Sequence, residues 1–222
     1  MPAPENESWP LVSSPWFIPA AAVVLLLLRT AIRRAARPLL RRATDDVFVL
    51  ITGCDTGIGL LTVQELTRTT ECGVVAACLT KEGAARCESA GAVAVVADLT
   101  VAADVRRLAA TAQSSSGGLL SAIVHCAGAA LCGPAELQAI DNYRRVMEVN
   151  LFSVAELTRL LLPCLKRQDD SRVVIVSSVD GIVSLPNNAP YDCSKHAVEA
   201  YAKCLRAETA VFGLTVSIVS PR

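Results

Sequence analysis

The feature that most constrains this chain is an apolar strand that runs directly into a glycine-rich turn. Residues 47–51 are all apolar, and the sequence continues as Thr52-Gly53-Cys54-Asp55-Thr56-Gly57-Ile58-Gly59 before a helix-periodic segment. Strand, turn and helix in this order place backbone N–H groups and a helix N-terminus at the carboxyl end of the strand, where a pyrophosphate binds. The turn therefore predicts a dinucleotide site, although its spacing is G-x-x-x-G-x-G and not the common G-x-G-x-x-G.

The rest of the chain from residue 46 alternates between short β-rich runs and longer helical stretches. We predict strands near 47–52, 74–79, 93–98, 122–126, 172–178 and 214–220, and helices near 57–69, 102–113, 142–167 and 194–212. Such alternation predicts an α/β fold, a doubly wound parallel sheet of the Rossmann type with about six strands. Hydrophobic residues make up 52% of the chain and aromatics only 4%. This suits a sheet that helices cover on both faces.

The N-terminal segment is apolar and then abruptly basic. Residues 11–28 contain no charged residue, Trp9 and Trp16 lie near its start, and six Arg follow within residues 29–42. A cleaved secretory signal or a mitochondrial transit peptide would place positive charge earlier, and a buried helix would not leave the core into an Arg cluster. We therefore expect residues 11–28 to be a transmembrane anchor, with residues 1–10 non-cytosolic, residues 29–45 a basic juxtamembrane linker, and residues 46–222 a cytosolic domain.

Charge and cysteine usage exclude some classes of function. The 21 basic and 21 acidic residues cancel, which gives no reason to expect binding to nucleic acid. The nine Cys are scattered and include no C-x-x-C pair. This pattern predicts reduced thiols and neither a disulfide framework nor a metal site.

A second group of residues suggests proton-transfer chemistry. Tyr191 and Lys195 are four apart and so share one face of a helix. An ammonium beside a phenol favours the phenolate and lowers its pKa, as exchange of a proton with an alcohol requires. Ser178 ends the fifth predicted strand, and Asn150 lies within a long predicted helix. Each residue alone would be an ordinary strand-end or surface residue, but their joint occurrence after the glycine turn makes coincidence a poor explanation.

These residues together resemble the short-chain dehydrogenase/reductase family, and the resemblance covers residues 47–221. It implies that Tyr191 is the general acid/base, that Ser178 orients the substrate, that Lys195 binds the nicotinamide ribose and lowers the Tyr pKa, and that Asn150 holds a proton-relay water. It also implies cofactor contacts. The expected contact residues are Thr52, Gly53, Asp55, Gly57, Ile58, Gly59, Asp98, Leu99, Ala127, Gly128, Tyr191, Lys195 and Pro221.

Two short stretches of the sequence resemble one branch of that family in particular. The stretches Ile51-Thr52-Gly53-Cys54-Asp55 and Met147-Glu148-Val149-Asn150 are similar to those of retinol, 17-beta- and 11-beta-hydroxysteroid and 3-hydroxybutyrate dehydrogenases. The branch implies a small lipophilic alcohol or ketone as substrate, with 3-hydroxybutyrate as a further candidate. It also implies location at the endoplasmic reticulum membrane, with the mitochondrion as the alternative. A homodimer through the two long helices is expected as well.

The expected cofactor is NAD, with NADP disfavoured. The glycine turn carries Asp55 and no Arg or Lys, and a carboxylate there would repel a 2′-phosphate. The end of the second strand, Cys78-Leu79-Thr80-Lys81, lacks the acid that commonly binds the NAD ribose, and Lys81 could serve a phosphate.

Three departures from the family point to an alternative. The family's Asn-Asn-Ala-Gly reads His125-Cys126-Ala127-Gly128 here, and a thiol at Cys126 is a poor substitute for a bracing amide. The family's Pro-Gly reads Pro221-Arg222, and the sequence stops there, which predicts a C-terminally truncated fold. The alternative function is therefore a catalytically weak or inactive membrane-bound protein that binds nucleotide or partners.

Overall fold

The computed structural model describes residues 47–221. The predicted non-cytosolic segment 1–10, the anchor 11–28 and the linker 29–45 lie outside this range. Among residues 47–221, no helix combines the length and apolar character needed to cross a membrane.

Six strands form one sheet in the described part of the chain. They are β1 (Phe48–Thr52), β2 (Gly73–Cys78), β3 (Val93–Val96), β4 (Leu120–His125), β5 (Arg172–Val176) and β6 (Thr215–Val219). The order is β3-β2-β1-β4-β5-β6 and every pairing is parallel. The predicted doubly wound parallel sheet of about six strands is confirmed.

Helices connect consecutive strands. They are α1 (Gly57–Thr69), α2 (Lys81–Ser89), α3 (Ala102–Ser115), α4 (Ile140–Met147), α5 (Ser153–Leu165) and α6 (Ala189–Thr209). A π-helical turn, Glu148–Phe152, joins α4 to α5, and short 3-10 turns occupy Ala135–Leu137, Val179–Gly181 and Ala210–Phe212.

The core lies on both faces of the sheet, because successive strand residues point to opposite faces. Leu50 belongs to the cluster that includes residues of α3, α5 and α6, whereas the next residue, Ile51, belongs to the cluster that includes residues of α1 and α2. Both side chains are completely buried. Burial on both faces explains why β1 reads as a continuous apolar run.

Two helices differ from the sequence-based expectation. Helix α2 was not predicted, because four of its nine residues are charged and Gly83 lies in its first turn. Its start is nevertheless stabilised by Thr80, whose hydroxyl accepts a hydrogen bond from the Gly83 N–H at 3.0 Å. The predicted helix 142–167 is interrupted by the π-helical turn, and α6 begins at Ala189 instead of near residue 194.

The strand order fixes where a ligand site can lie. The chain builds outward from β1 through β2 to β3, then returns to the other side of β1 for β4. The connections at the carboxyl ends of β1 and β4 therefore diverge and leave a crevice between them.

Candidate active site and cofactor cleft

The glycine turn makes close backbone contact with the segment after β4. Gly53 has φ +70°, and a Cβ added there would lie 2.6 Å from both the Cα and the N of Ala127. Gly57 has φ +57°, but a Cβ there would meet nothing within 4 Å. A Cβ on Gly59 would overlap the carbonyl oxygen of Gly53. Gly53 and Gly59 are thus needed for packing, whereas Gly57 faces open space.

A hydroxyl links the ends of the two central strands. The Thr52 hydroxyl accepts a hydrogen bond from the Ala127 N–H at 3.2 Å. Behind it, His125 is buried and its Nε2 lies 2.9 Å from the Thr158 hydroxyl on α5. Burial lowers the pKa of His125 to about 3. These contacts brace β1 and β4 although Cys126 occupies the position where the family usually has an amide.

A cleft of about 750 Å³ opens beside the glycine turn. Its lining includes six residues predicted to contact the cofactor: Gly53, Asp55, Asp98, Leu99, Ala127 and Gly128. It also includes residues that sequence reasoning missed, among them Thr56, Cys78, Thr100, Ala129, Arg144, Arg145, Glu148 and Val149. Thr56, Cys78, Glu148 and Val149 stand in sequence stretches that were quoted above, so position beside a motif was a usable signal for them. The others lie in segments without a motif, which only the folded chain brings to the cleft.

The remaining predicted contact residues surround the cleft without lining it. Thr52 lies behind the turn, Gly57, Ile58 and Gly59 begin α1, and Tyr191 and Lys195 lie in the first turns of α6. The carbonyl oxygen of Pro221 accepts a hydrogen bond from the Val179 N–H at 3.1 Å. The predicted contacts of these residues with a cofactor stay predictions.

Asp55 ties the glycine turn to the end of β2. Its carboxylate accepts hydrogen bonds from the Leu79 N–H at 2.7 Å, the Thr80 N–H at 2.9 Å and the Thr80 hydroxyl at 2.7 Å. Burial alone would raise the pKa of Asp55, but the bonds from Thr80 and Leu79 outweigh it and lower the pKa. The turn therefore carries a fixed negative charge next to the end of β2.

A cation that the sequence did not reveal lies beside this carboxylate. Arg86 on α2 donates a hydrogen bond to the backbone carbonyl of Asp55 at 2.7 Å, and its side chain is exposed. The turn itself carries no Arg or Lys, as the sequence shows, but folding brings this Arg of α2 next to it. Charges of both signs therefore border this end of the cleft.

Asp98 shapes the loop after β3. Its Oδ1 accepts hydrogen bonds from the Thr100 N–H at 2.9 Å and the Thr100 hydroxyl at 2.8 Å. Its own N–H donates to the Asp104 carboxylate at 2.9 Å. The loop is thereby held against the cleft that Asp98 and Leu99 line.

Tyr191 and Lys195 lie on one face of α6, as predicted. The Lys195 Nζ is 5.4 Å from the centre of the Tyr191 ring and donates a hydrogen bond to the Val176 carbonyl at 2.9 Å. Only 4% of the surface of Lys195 is exposed. This burial lowers the pKa of Lys195 to about 8, against a smaller opposite effect of Cys126.

Lys195 was expected to lower the pKa of Tyr191, but in this protein the pKa of Tyr191 is raised. Burial raises the pKa of Tyr191, a hydrogen bond with Ser178 lowers it, and the nearby Asp180 and Asp192 raise it further. The net pKa of Tyr191 lies above its ordinary value. The short sequence motif could not predict this, because Asp180 lies on another element.

Asn150 lies in the π-helical turn and is buried. Its Oδ1 accepts from the Ala129 N–H at 2.8 Å, and its Nδ2 donates to the Ala129 carbonyl at 2.9 Å and to the Ser194 hydroxyl at 2.8 Å. The Ser194 hydroxyl in turn donates to the Tyr191 carbonyl at 2.7 Å. Asn150 therefore joins the segment after β4 to the start of α6, and the expectation that it holds a water stays a prediction.

Gly128 is where the cleft meets these polar residues. A Cβ placed on Gly128 would lie 3.7 Å from the Asn150 Oδ1 and 3.8 Å from the Lys195 Nζ. Since Gly128 also lines the cleft, a ligand there would come close to the Tyr191–Lys195 face of α6.

Three buried cysteines, Cys54, Cys78 and Cys87, lie close together beside the cleft. The Sγ atoms of Cys78 and Cys87 are 3.7 Å apart, and the Cys87 thiol lies 3.5 Å from the Cys54 carbonyl. All three residues are buried, and the cysteines of the described chain are free. Burial raises the pKa of the Cys78 thiol to about 12, so it is protonated at neutral pH.

The parallel sheet, the glycine turn and the cleft beside it are the features expected of a short-chain dehydrogenase. The sequence profile described as "short chain dehydrogenase" matches residues 47–222, and the chain belongs to this family.

Individual relatives agree with this assignment. The chain is 35% identical to mouse retinol dehydrogenase 16 over 80% of its length, and 34% identical to an uncharacterised oxidoreductase of Escherichia coli K12 over 78%. It is also similar to a crystal structure of a short-chain dehydrogenase from Streptomyces avermitilis, with a TM-score of 0.73 and 28% identity over 78% of the chain. The matched part spans 56%, 64% and 65% of these three proteins, respectively.

Proposed function

We propose that this protein is an NAD-dependent oxidoreductase that transfers a hydride between the nicotinamide cofactor and a lipophilic alcohol or the corresponding carbonyl compound. The observation that carries the proposal is the convergence at Gly128, where the cleft comes within contact distance of Asn150 and Lys195. The names of the retinol dehydrogenase relatives support the substrate class.

The residues of the cleft fit a dinucleotide. Gly57 offers open space beside the start of α1, where backbone N–H groups attract phosphate. Gly53 would lie along the pyrophosphate, Asp55 near the adenosine ribose, and Asp98 and Leu99 near the adenine. When bound, the nicotinamide ring would supply the chemistry of accepting or donating a hydride.

The protein's own part in the reaction is proton transfer. Oxidation of an alcohol at carbon releases the hydroxyl proton, which Tyr191 as phenolate would take, and reduction of a carbonyl needs that proton back from the phenol. The Ser178 hydroxyl lies close enough to Tyr191 to lower its pKa, so we place it where it would bond the same substrate oxygen. The Lys195 ammonium adds positive charge on the same helix face, and Asn150 and Ser194 hold the start of α6 in place.

Exposed apolar side chains support a lipophilic substrate. Ile182, Val183 and Leu185 follow Ser178 with exposures of 68%, 51% and 51%, and Leu137 is 77% exposed. The two loops that carry them are joined by the Gly133 N–H, which donates to the Asn187 carbonyl at 2.7 Å. Such side chains could contact a retinoid or steroid skeleton. We further infer that residues 11–28 place the protein in the endoplasmic reticulum membrane, where such substrates partition, and that it forms a homodimer.

Replacing Tyr191 by Phe tests the catalytic assignment. The ring stays but the exchangeable proton is lost, so turnover should fall by at least about 10²–10⁴-fold, the usual size of a general acid–base contribution. Turnover is measured with NAD on a panel of retinol, a hydroxysteroid and 3-hydroxybutyrate, and NADH affinity by titration calorimetry should be unchanged. A Tyr143→Phe variant, which changes a phenol outside the motif, should retain turnover.

The alternative is a nucleotide-binding protein with weak or no catalysis, which Cys126 and the raised pKa of Tyr191 favour. It predicts tight NADH binding with no turnover of any panel member by the wild-type chain. Full turnover by Tyr191→Phe would refute the catalytic assignment itself.

A further inference from the structure

A single amide bridges two carboxylates beside Tyr191. The Asn188 Nδ2 donates to the Asp192 Oδ1 at 2.7 Å and to the Asp180 Oδ2 at 3.0 Å. An amide nitrogen has two hydrogens, so both are used on the two acids. Asp192 itself is 3% exposed, and a carboxylate is retained at such a site only where its oxygens are hydrogen-bonded.

The bridge connects three segments of the chain, one of which carries Tyr191. Asp192 follows Tyr191 directly in the first turn of α6, and its Oδ2 accepts from the Leu185 N–H at 2.7 Å. The N–H of Asp180 donates to the Ser178 hydroxyl at 3.2 Å. Because this bond occupies an acceptor lone pair of Ser178, the hydroxyl hydrogen of Ser178 remains available to Tyr191 or a substrate. The apolar loop, the Ser178 turn and α6 are thereby held together.

We propose that Asp192 and Asp180, joined by Asn188, form a positioning device that holds Ser178 and Tyr191 in register and sets the electrostatic environment of the Tyr191 hydroxyl. The proposal rests on the catalytic role of Tyr191 proposed above. Asp192 is part of neither the Tyr-x-x-x-Lys pattern nor the set of residues expected to contact cofactor or substrate.

The groups that face Tyr191 come from two elements and carry opposite effects. Burial is the largest effect and raises the pKa of Tyr191, and the Ser178 hydroxyl lowers it. Asp180, on the 3-10 turn after Ser178, and Asp192, on α6, raise it further. Among the described contacts, the cation that lies near the Tyr191 ring is Lys195, which is also on α6. Its Nζ donates a hydrogen bond to the Val176 carbonyl. The acids therefore keep the phenol protonated to higher pH, which supplies a proton for carbonyl reduction and delays the phenolate that alcohol oxidation needs.

Direct titration of Tyr191 tests the device without relying on turnover. Ultraviolet absorbance of phenolate is followed against pH in the full chain, and the titration of a Tyr191→Phe protein is subtracted to isolate Tyr191. Asp192→Asn keeps an oxygen acceptor for the Leu185 N–H but removes the charge and the hydrogen bond from the Asn188 amide, since two NH₂ groups would then face each other. It should lower the midpoint of Tyr191, because a nearby negative charge disfavours the phenolate. If the enzyme is active, the pH profile of alcohol oxidation should shift to lower pH by the same amount.

A second variant and a matched control separate this effect from folding and from net charge. Asp180 lies on a different element from Asp192, and Asp180→Asn should shift the midpoint of Tyr191 in the same direction. This second variant keeps the test usable if Asp192→Asn does not fold. Asp169→Asn removes one exposed acid that precedes β5, at the end of the strand opposite to Ser178. This control should leave the midpoint of Tyr191 unchanged. The inference is overturned if the folded Asp variants titrate as wild type does, or if Asp169→Asn shifts the midpoint equally. Such a failure would leave the turnover test of Tyr191→Phe unaffected, so the two proposals fail separately.

Discussion

Asp55 and Arg86 place opposite charges at the end of the cleft where the adenosine ribose is expected. The carboxylate of Asp55 is fixed by three hydrogen bonds, while Arg86 bonds only the Asp55 carbonyl and leaves its other donors exposed. A 2′-phosphate would be repelled by the first residue and attracted by the second. We therefore expect these two side chains to act in opposite directions on cofactor preference.

Asp55→Asn should therefore make the protein more tolerant of NADP. The amide oxygen keeps the bonds from Thr80, while the charge and the bond from the Leu79 N–H are lost. One partly exposed charge contributes about 1 kcal/mol. NADPH affinity measured by fluorescence titration should rise about fivefold, with NADH affinity little changed. In the double variant Asp55→Asn/Arg86→Ala the gain should disappear. An unchanged NADPH affinity in the single variant would show that Asp55 does not act on the ribose end.

His125 gives the fold a built-in sensitivity to acid. Its pKa is about 3 in the folded protein and 6.5 as an unperturbed group, because burial disfavours the charged ring. Between these values the unfolded chain binds a proton that the folded chain does not, so the free energy of unfolding falls as pH drops below 6.5. At pH 5 the loss from this residue is about 2 kcal/mol.

Urea unfolding at pH 7 and pH 5 measures this loss. His125→Asn removes the titrating ring. Between pH 7 and pH 5 its free energy of unfolding should therefore fall by about 2 kcal/mol less than that of wild type. The exposed His196 provides a control, and His196→Gln should follow wild type. Equal pH dependence of wild type and His125→Asn would contradict the buried, neutral ring.

At the level of elements, two glycines of one turn have different tasks. Gly53→Ala would force a Cβ against the Ala127 backbone at a positive φ, which should lower the free energy of unfolding by about 3 kcal/mol or more. Gly57→Ala meets no protein atom and carries only the cost of the positive φ, about 1 kcal/mol. Its methyl group would, however, occupy the space left for phosphate.

Thermal unfolding and NADH titration distinguish the two tasks. Gly53→Ala should fail chiefly in stability. Gly57→Ala should fold and yet lose about tenfold or more in NADH affinity, since about 1.5 kcal/mol is typical of a hydrogen bond to a charged group. If Gly57→Ala bound NADH as wild type does, the pyrophosphate would have to be placed elsewhere.

Elements with a strong local pattern could be predicted from the sequence. The strands were found because burial on both faces makes them continuous apolar runs, and the glycine turn because it follows one of them directly. Helix α2 escaped prediction because its polar sequence lacks an apolar stripe, although its Thr80 cap was a usable signal. The π-helical turn left no local pattern. The Asn188 bridge could not be predicted, since its partners meet only through tertiary folding.

At the level of the whole molecule, the proposed membrane location can be tested independently of catalysis. With residues 11–28 as an anchor, alkaline carbonate extraction should leave the full chain in the membrane pellet. Replacing Ala22 and Val23 by Arg should release it, since each charge inside a span costs about 2.5–3.5 kcal/mol. The same pair of substitutions at Leu39 and Leu40, within the basic linker, should leave it in the pellet. Wild-type protein in the soluble fraction would argue against the anchor.

The all-parallel sheet has a consequence for how the chain is made. Two parallel strands cannot be joined by a tight hairpin, so every pairing here waits for an intervening helix. During synthesis β1, β2 and β3 can associate first, but the other edge of β1 must wait for β4, where Phe48 comes to lie opposite Leu120. Until then this largely buried strand presents an open edge, a template for pairing with other chains. We therefore expect a nascent chain that ends between β3 and β4 to be prone to pairing with the wrong partner.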